Sequence, residues 1–300
     1  MGRIVEMIDL HAHLLPGLDD GAKTLEESVQ MCWISYKDGV RTIVGTPHTL
    51  NGLYLNDRET ILAKVKELNE ALMKFGIRNA EFGIKEPNAA LHTPQSEMFF
   101  NSAIRNPQSA IILNSELRAP NSELPLRILP GADVRLCEKT LLQLDQGKVM
   151  TISDGKKYLF LEFPFQGIPY QAEEIIFQIR TRGIIPIITH PERNLEIGQR
   201  PQRYYEMIRI GCLGQVTAMS LTGDFGSRVR QIAEKLLKNR LIHFIASDAH
   251  STDGRPPILS EGVRAAEKIV GKEEAQKMVT KYPQAILEGR KPDVPEPIPI

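Results

Sequence analysis

Hydrophobic and polar positions along this chain follow two alternating rhythms. Short apolar or β-branched runs of strand length occur at Ile4-Val5 with Met7-Ile8, and at 40–44, 126–136, 158–163, 184–188, 214–218 and 241–246. Between them, apolar residues recur every three or four positions, as on a buried helix face. Thr24-Leu25-Glu26-Glu27 has capping-box spacing, with Thr24 as N-cap and Glu27 reaching back to it. The helix it opens carries Val29, Met31, Cys32, Trp33 and Tyr36 and stops at Gly39. Asp57 caps a second helix through Ile61, Leu62, Val65, Leu68, Leu72 and Phe75 to a stop at Gly76. Further helices are predicted over 140–144, 170–182, 201–210 and 225–239, with two or three more closing the chain. Pro186 weakens the strand at 184–188, because proline removes a ladder donor. A proline-rich tail, 291–300, is expected to fray.

Repeated βα units predict an α/β fold built on a parallel sheet or barrel. One stretch breaks the rhythm. From about 79 to 127 the chain is rich in Asn, Ser, Pro and Gln. Thr-Pro-Gln-Ser-Glu-Met at 93–98 is echoed at 106–111, and Asn114-Ser115-Glu116-Leu117 at 121–124. Such composition suggests a low-complexity, disordered insertion within a single domain spanning 1–290.

Composition narrows the function. Lys plus Arg equals Asp plus Glu, so the net charge is zero and no basic stripe marks a nucleic-acid partner or an anionic membrane. Cys32, Cys137 and Cys212 lack CxxC spacing, which fits a reducing cytoplasm. No signal-like or membrane-spanning run is present.

The chemistry lies at the strand ends, where parallel α/β folds place their ligand sites. His11 and His13 alternate at the end of the first strand and so share one face. His48, Asp133, Glu162, His190, Asp248 and His250 occupy later strand ends, and Asp20 lies in the first βα loop. Singly, each has a bland explanation; a histidine ending an apolar run is more often structural than a ligand. Nine together are poorly explained that way, and a buried carboxylate such as Glu162 needs a counter-charge. His243 is the control, since it starts its strand and is expected to be structural. Imidazole and carboxylate donors without thiolate suit zinc, manganese or iron rather than calcium. Nine donors imply two or three ions, an arrangement suited to hydrolysis. Arg193 and Arg255, beside the ligands, carry forked donors that match phosphate.

These motifs, His11-Ala-His13, Asp19-Asp20-Gly21, Gly45-Thr-Pro-His48, Gly131-Ala-Asp133-Val, Leu161-Glu162-Phe163, His190-Pro-Glu-Arg193 and Ser247-Asp248-Ala-His250, with Asp253-Gly254-Arg255-Pro256-Pro257, stand in a familiar order. The chain resembles the polymerase-and-histidinol-phosphatase (PHP) superfamily. Within it, the similarity is to the bacterial manganese-dependent protein-tyrosine phosphatases of capsule and exopolysaccharide synthesis (CpsB/CapC type). The similarity runs from about Met7 to Leu287, and without the insertion roughly 250 residues remain, a usual barrel size. The resemblance implies a distorted (β/α)7 TIM-like barrel and a trinuclear centre of Mn2+, with Fe or Zn as alternatives. Its implied ligands are His11, His13, Asp20, His48, Asp133, Glu162, His190, Asp248 and His250. Arg193 and Arg255 match the phosphate-binding arginines, and a metal-activated hydroxide attacks phosphotyrosine. The implied partner is the tyrosine-rich tail of an exopolysaccharide kinase, and relatives are often homo-oligomers. One departure stands out: Asp133 occupies a position that is usually glutamate.

Two other readings share the motifs. One is a small-molecule phosphomonoesterase, of the histidinol-phosphatase kind. The other is a regulatory metal-binding module, catalytically impaired by Asp133 and the insertion. A cysteine-nucleophile phosphatase is excluded, because six positions after Cys32, Cys137 and Cys212 stand Asp38, Gln143 and Ala218 rather than arginine.

Overall fold

The computed structural model describes residues 6–78 and 126–300. The first half contains β1 (Met7–Ala12), α1 (Leu25–Lys37), β2 (Val40–Gly45), β3 (His48–Thr49), α2 (Arg58–Arg78), β4 (Arg127–Pro130), β5 (Asp133–Arg135) and α3 (Thr140–Asp145). The middle contains β6 (Tyr158–Glu162), α4 (Ala172–Thr181), β7 (Ile185–Thr189), α5 (Leu195–Gln199), α6 (Gln202–Arg209) and β8 (Leu213–Thr217). Then follow α7 (Ala218–Thr222), α8 (Ser227–Lys238), β9 (Phe244–Ala246), α9 (Ser260–Val270), α10 (Lys272–Lys277) and α11 (Lys281–Leu287). All but the last two residues of the expected insertion lie outside the described residues; Leu126 is buried and Arg127 already belongs to β4.

Among the described residues the strands pair with one another in parallel, in the orders β1-β2-β4 and β3-β5-β6-β7-β8-β9. Two strand positions are interrupted rather than added. β2 resumes as β3 after Thr46-Pro47, β4 resumes as β5 after Gly131-Ala132, and the pairs β2–β4 and β3–β5 lie side by side. The described strands therefore fill seven positions: β1, β2/β3, β4/β5, β6, β7, β8 and β9. The ring closes where the Asp248 N–H donates to the His11 carbonyl and the His13 N–H to the Ala249 carbonyl, both at 2.8 Å. At the opposite end of this seam the chain after α10 fills the gap. Ile8 N–H donates to Val279 O (2.8 Å) and Ile245 N–H to Met278 O (3.3 Å). This is the distorted (β/α)7 barrel that the motifs imply, and the split strands and the plugged seam are its distortions.

The period of two sorts side chains on the barrel wall. In β1, Asp9 and His11 face inward to Ser247, Gln215 and Phe160. Leu10 and Ala12, which alternate with them, are buried among the other core residues. Helices seal the outside with apolar stripes such as Ile175, Ile176 and Ile179 of α4 and Ala233, Leu236 and Leu237 of α8. Among the described residues no helix is long and apolar enough to cross a membrane.

Several local expectations need correction. Thr24 Oγ1 accepts from Glu27 N–H (3.2 Å), but Glu27 returns to the N–H of Lys23 (2.8 Å), one residue before the cap. α2 continues through Gly76 to Arg78, since one glycine costs a helix only about 1 kcal/mol. The single strand expected at 126–136 is split into β4 and β5 at Gly131-Ala132, where the backbone passes so close to Val44 that a Cβ at Gly131 would lie 2.5 Å from its Cγ1. Pro186 does sit inside β7. Ile185 N–H donates to Lys157 O toward β6, so the proline nitrogen faces the β8 side, where pairing starts only at Ile187. The expected strand at 241–246 shortens to β9. The proline-rich tail is packed rather than frayed: Ile298 N–H donates to Asn239 O (2.9 Å), and Val294 and Ile300 rest on the core.

His243 is structural as expected. It is buried, its Nδ1 accepts from Gly214 N–H at 2.9 Å, and burial pushes its pKa down to about 4. A pKa depressed below the unfolded value near 6.5 means that stability is complete above that value and is lost as pH falls through 4. His243→Asn keeps an acceptor near the same point without titrating. Its melting temperature should fall less between pH 7 and 4 than that of the parent, a difference of about 3 kcal/mol at most. Parallel melting curves would remove this role from His243.

Candidate metal centre

All nine strand-end and loop residues singled out in the sequence converge at one mouth of the barrel. β1 delivers His11 and, one residue beyond its end, His13. β3 and β5 begin with His48 and Asp133, which are direct register partners. Asp133 thus stands at the start of an interrupted strand rather than at its end. β6 ends on Glu162, β7 is followed by His190, and β9 by Asp248 and His250. His190 and Asp248 take positive φ (34° and 50°), a costly conformation for residues with a Cβ, which turns the chain sharply as it leaves each strand.

Donor atoms crowd together in three overlapping sets, each within 4.8 Å: His13, Asp20, His48 and His250; His11, His13 and Asp133; and His48, Asp133 and Glu162. His190 Nε2 lies 3.7 Å from Asp133 Oδ2 and 3.9 Å from Glu162 Oε1. Asp248 Oδ1 lies 3.4 Å from His13 Nε2 and 3.7 Å from His11 Nε2. Asp133, though a short side chain, brings Oδ2 to 3.3 Å from His48 Nδ1 and 3.8 Å from His11 Nε2.

The two β1 histidines show what this cluster is suited to hold. His11 Nδ1 faces the Gln215 Oε1 acceptor at 3.1 Å, and His13 Nδ1 faces the Asp19 carboxylate at 2.6 Å. Those partners fix the ring protons on Nδ1, so in neutral rings both Nε2 lone pairs point inward, where they are 3.0 Å apart. At that separation the two nitrogens need positive charge between or beside them, either a second proton on His13, which its carboxylate neighbours favour, or a cation beside both rings. Divalent cations meet that demand, and the outer carboxylate and amide are the usual means of aiming such imidazoles. Buried Asp133 Oδ2, Glu162 Oε2 and His48 Nδ1 have no hydrogen-bond partner, which also fits coordination. The donor set therefore suits divalent ions.

Charge is finely distributed. Burial alone would lower His13, but the charges of Asp19 and Asp248 push it up to about 10. Burial takes His11 down to about 4, and burial with the His13 charge takes His250 down to about 2. Asp133 stays well below the usual carboxylate range despite burial, because His11, His190 and His48 surround it. Arg193 and Arg255 hold Asp248 down in the same way. Burial and the neighbouring Asp133 charge raise Glu162.

The paired acids of the first loop divide their work. Asp20 is 54% exposed and lies 3.6 Å from both His48 Nε2 and His250 Nε2. Asp19 is buried and accepts from His13 Nδ1, Gly21 N–H (2.9 Å) and His48 N–H (2.9 Å), fastening the loop to two strands. Gly21 permits this fold-back, since a Cβ there would lie 1.9 Å from the His13 carbonyl oxygen.

Both arginines reach Asp248 Oδ2, Arg193 through Nη1 at 2.5 Å and Arg255 through Nη2 at 2.6 Å. Phe225 lies under both guanidinium groups (5.1 and 5.6 Å) and Phe165 under that of Arg193 (5.1 Å). They border a cavity of about 310 Å³ whose wall also includes Arg135, Tyr54, Leu53 and Asn51. Sequence reasoning missed these wall residues. It also missed Gln215, and Thr189, whose hydroxyl donates to Asp133 Oδ1 at 3.0 Å. Glu192 was missed too; it is buried and accepts from Thr217 N–H and the Ser220 hydroxyl. Only Arg135 left a usable signal: it lies two residues after Asp133, hence on the same strand face, and its Nε is 3.0 Å from Glu162 Oε2.

Comparison with known proteins gives a consistent answer. The family model described as "Capsular polysaccharide synthesis, CpsB/CapC" matches residues 7–86 and 79–288. The chain is 31% identical over 267 residues to tyrosine-protein phosphatase YwqE of Bacillus subtilis, covering 89% of this chain and 86% of YwqE. It is 28% identical over 288 residues to tyrosine-protein phosphatase CpsB of Streptococcus agalactiae, covering 94% and 99%. A solved structure from work on B. subtilis YwqE and Streptococcus pneumoniae CpsB, described there as metal-dependent tyrosine phosphatases, superposes with a TM-score of 0.78. That match has 29% identity and covers 98% of this chain and 99% of the other.

Asp19→Asn removes one of the acceptors that aim His13 and pin His48. Metal titration by calorimetry should show affinity weakened about 10- to 100-fold with the circular dichroism spectrum unchanged. Unaltered affinity would reduce Asp19 to a loop brace.

Proposed function

This chain belongs to the CpsB/CapC family of capsular polysaccharide synthesis, and from that premise we propose that it is a metal-dependent protein-tyrosine phosphatase. The proposed metal ligands are His11, His13, Asp20, His48, Asp133, Glu162, His190, Asp248 and His250, and the proposed ions are two or three Mn2+, with Fe or Zn able to use the same donors. The observation that carries this reading is the meeting of that donor cluster with Arg193 and Arg255 in one cavity. When bound, divalent ions supply Lewis acidity toward phosphoryl oxygens and lower the pKa of water into the neutral range.

The chain's own residues supply the rest. Arg193 and Arg255 share one oxygen of Asp248 through single nitrogens, which leaves guanidinium donors for a phosphoryl group. Phe225 and Phe165 hold those planar groups in place, so little ordering is left for the transition state. Thr189 and Arg135 fix Asp133 and Glu162 from outside the cluster. The Asp133 distances to His48 and His11 favour an active enzyme over an impaired copy, because the short carboxylate still reaches its neighbours. The proposed substrate is phosphotyrosine in a flexible protein segment, specifically the tyrosine-rich tail of an exopolysaccharide tyrosine kinase.

With Mn2+ added, purified protein should release phosphate from a phosphotyrosine peptide, lose that activity to chelator and regain it with Mn2+. Arg193→Met or Arg255→Met should lower kcat/KM by roughly 10²- to 10³-fold with metal content unchanged. Turnover insensitive to chelator would sink the proposal. Turnover that appears only after Asp133→Glu would make this copy a regulatory module, and preference for histidinol phosphate over the peptide would make it a small-molecule phosphatase.

A further inference from the structure

The cavity wall contains a feature that the metal cluster does not require. Residues 49–55 form a tight hairpin closed by an antiparallel bridge between Thr49 and Leu55. Leu50 N–H donates to Tyr54 O (3.0 Å), and Asn51 Oδ1 accepts from the N–H groups of Leu53 (3.0 Å) and Tyr54 (2.9 Å). Leu50 and Gly52 take positive φ (61° and 90°) to make the turn. Asn56 ties its base to the carbonyls of His48 and Leu18, both at 2.8 Å. The backbone is thus fastened by its own bonds, yet it holds Leu53 83% exposed beside the cavity. Tyr54 lies almost parallel to the His48 ring, 10° apart in plane with centroids at 6.4 Å. Phe165 adds another apolar wall, 45% exposed, with its ring 6.2 Å from His190.

The cavity therefore has a floor of charged groups and a rim of large apolar ones. Exposed apolar side chains on a fastened turn at a cavity mouth are the pattern of a ligand-binding wall. Building on the phosphatase reading, we propose that Leu53, Tyr54 and Phe165 form an aryl subsite that selects aromatic over aliphatic phosphomonoesters. In phosphotyrosine a rigid ring follows the ester oxygen, so an apolar surface extends from the phosphoryl group to the rim. In phosphoserine the polar backbone amides arrive at that height and must be desolvated against Leu53 and the two rings.

Binding of two non-hydrolysable probes tests this without reference to leaving-group chemistry. Phenylphosphonate and methylphosphonate share an anionic head and differ only in what meets the rim. Calorimetry on the Mn2+-loaded full chain should show phenylphosphonate bound about tenfold more tightly. Tyr54→Ala and Phe165→Ala should each erase a factor of about three to ten of that preference, with methylphosphonate affinity and metal content retained. Leu53→Ser, at an exposed position that does not support the fold, should reduce the preference in the same direction. Equal affinity of the parent for both probes, or equal losses for both probes in the variants, would overturn the subsite. These outcomes are separate from the enzymatic reading. A parent that hydrolyses phosphotyrosine but shows no phenyl preference keeps the activity and loses the subsite. A parent that prefers phenylphosphonate but hydrolyses nothing does the reverse.

Discussion

Electrostatic compensation inside the barrel mouth is the constraint on which the site depends. Asp19, Asp133 and Asp248 are buried and held ionised, and five imidazoles press against them. Without balancing charge such a set costs several kcal/mol per group. Arg193 and Arg255 provide part of the balance, and the paired Nε2 atoms of His11 and His13 mark where the remaining positive charge, a proton or a cation, belongs. A cation bound there would stabilise the folded chain through the same charges that it neutralises. The alternation along β1 keeps that coupling local: Leu10 and Ala12 join the core while their neighbours serve the site.

Much of this was legible in the sequence, for physical reasons. Histidines and acids that end apolar runs are costly unless they share a task, and the βα rhythm says where such ends meet. That argument picked out nine residues that converge at the barrel mouth and separated His243 from them. It could not see where the barrel departs from regularity. The break between β4 and β5 falls where Gly131 closely approaches Val44, and the seam between β1 and β9 is filled by Met278 and Val279 arriving from α10. Neither is a local property. Asp19 left no local signal of its role, because His13 and His48, which it joins, lie on either side of it in the chain. The tail was misjudged because prolines suppress secondary structure without preventing packing, as Val294 and Ile300 demonstrate.

The rim escaped sequence reading for a different reason. Leu53 and Phe165 are apolar residues in loops, and pattern alone gives no cause to treat them as more than surface exceptions. Only the hairpin bonds, which fix Leu53 beside a charged cavity, give its exposure a meaning. Floor and rim thus follow separate rules. The floor is set by charge balance among strand ends, and the rim by turn chemistry that can change without disturbing that balance.

The closure of the barrel has a temporal side. Asp9 accepts from Ser247, and His11 and His13 bond to Asp248 and Ala249, so the first strand is completed by residues more than two hundred positions later in the chain. Contacts spanning well over two hundred residues are slow to form and arrive late in folding. On the ribosome, His11 and His13 emerge long before the carboxylate that faces them. The nascent chain thus carries an incomplete donor set while more than two hundred residues are added after His13, and the set is completed only once Asp248 and His250 have left the exit tunnel.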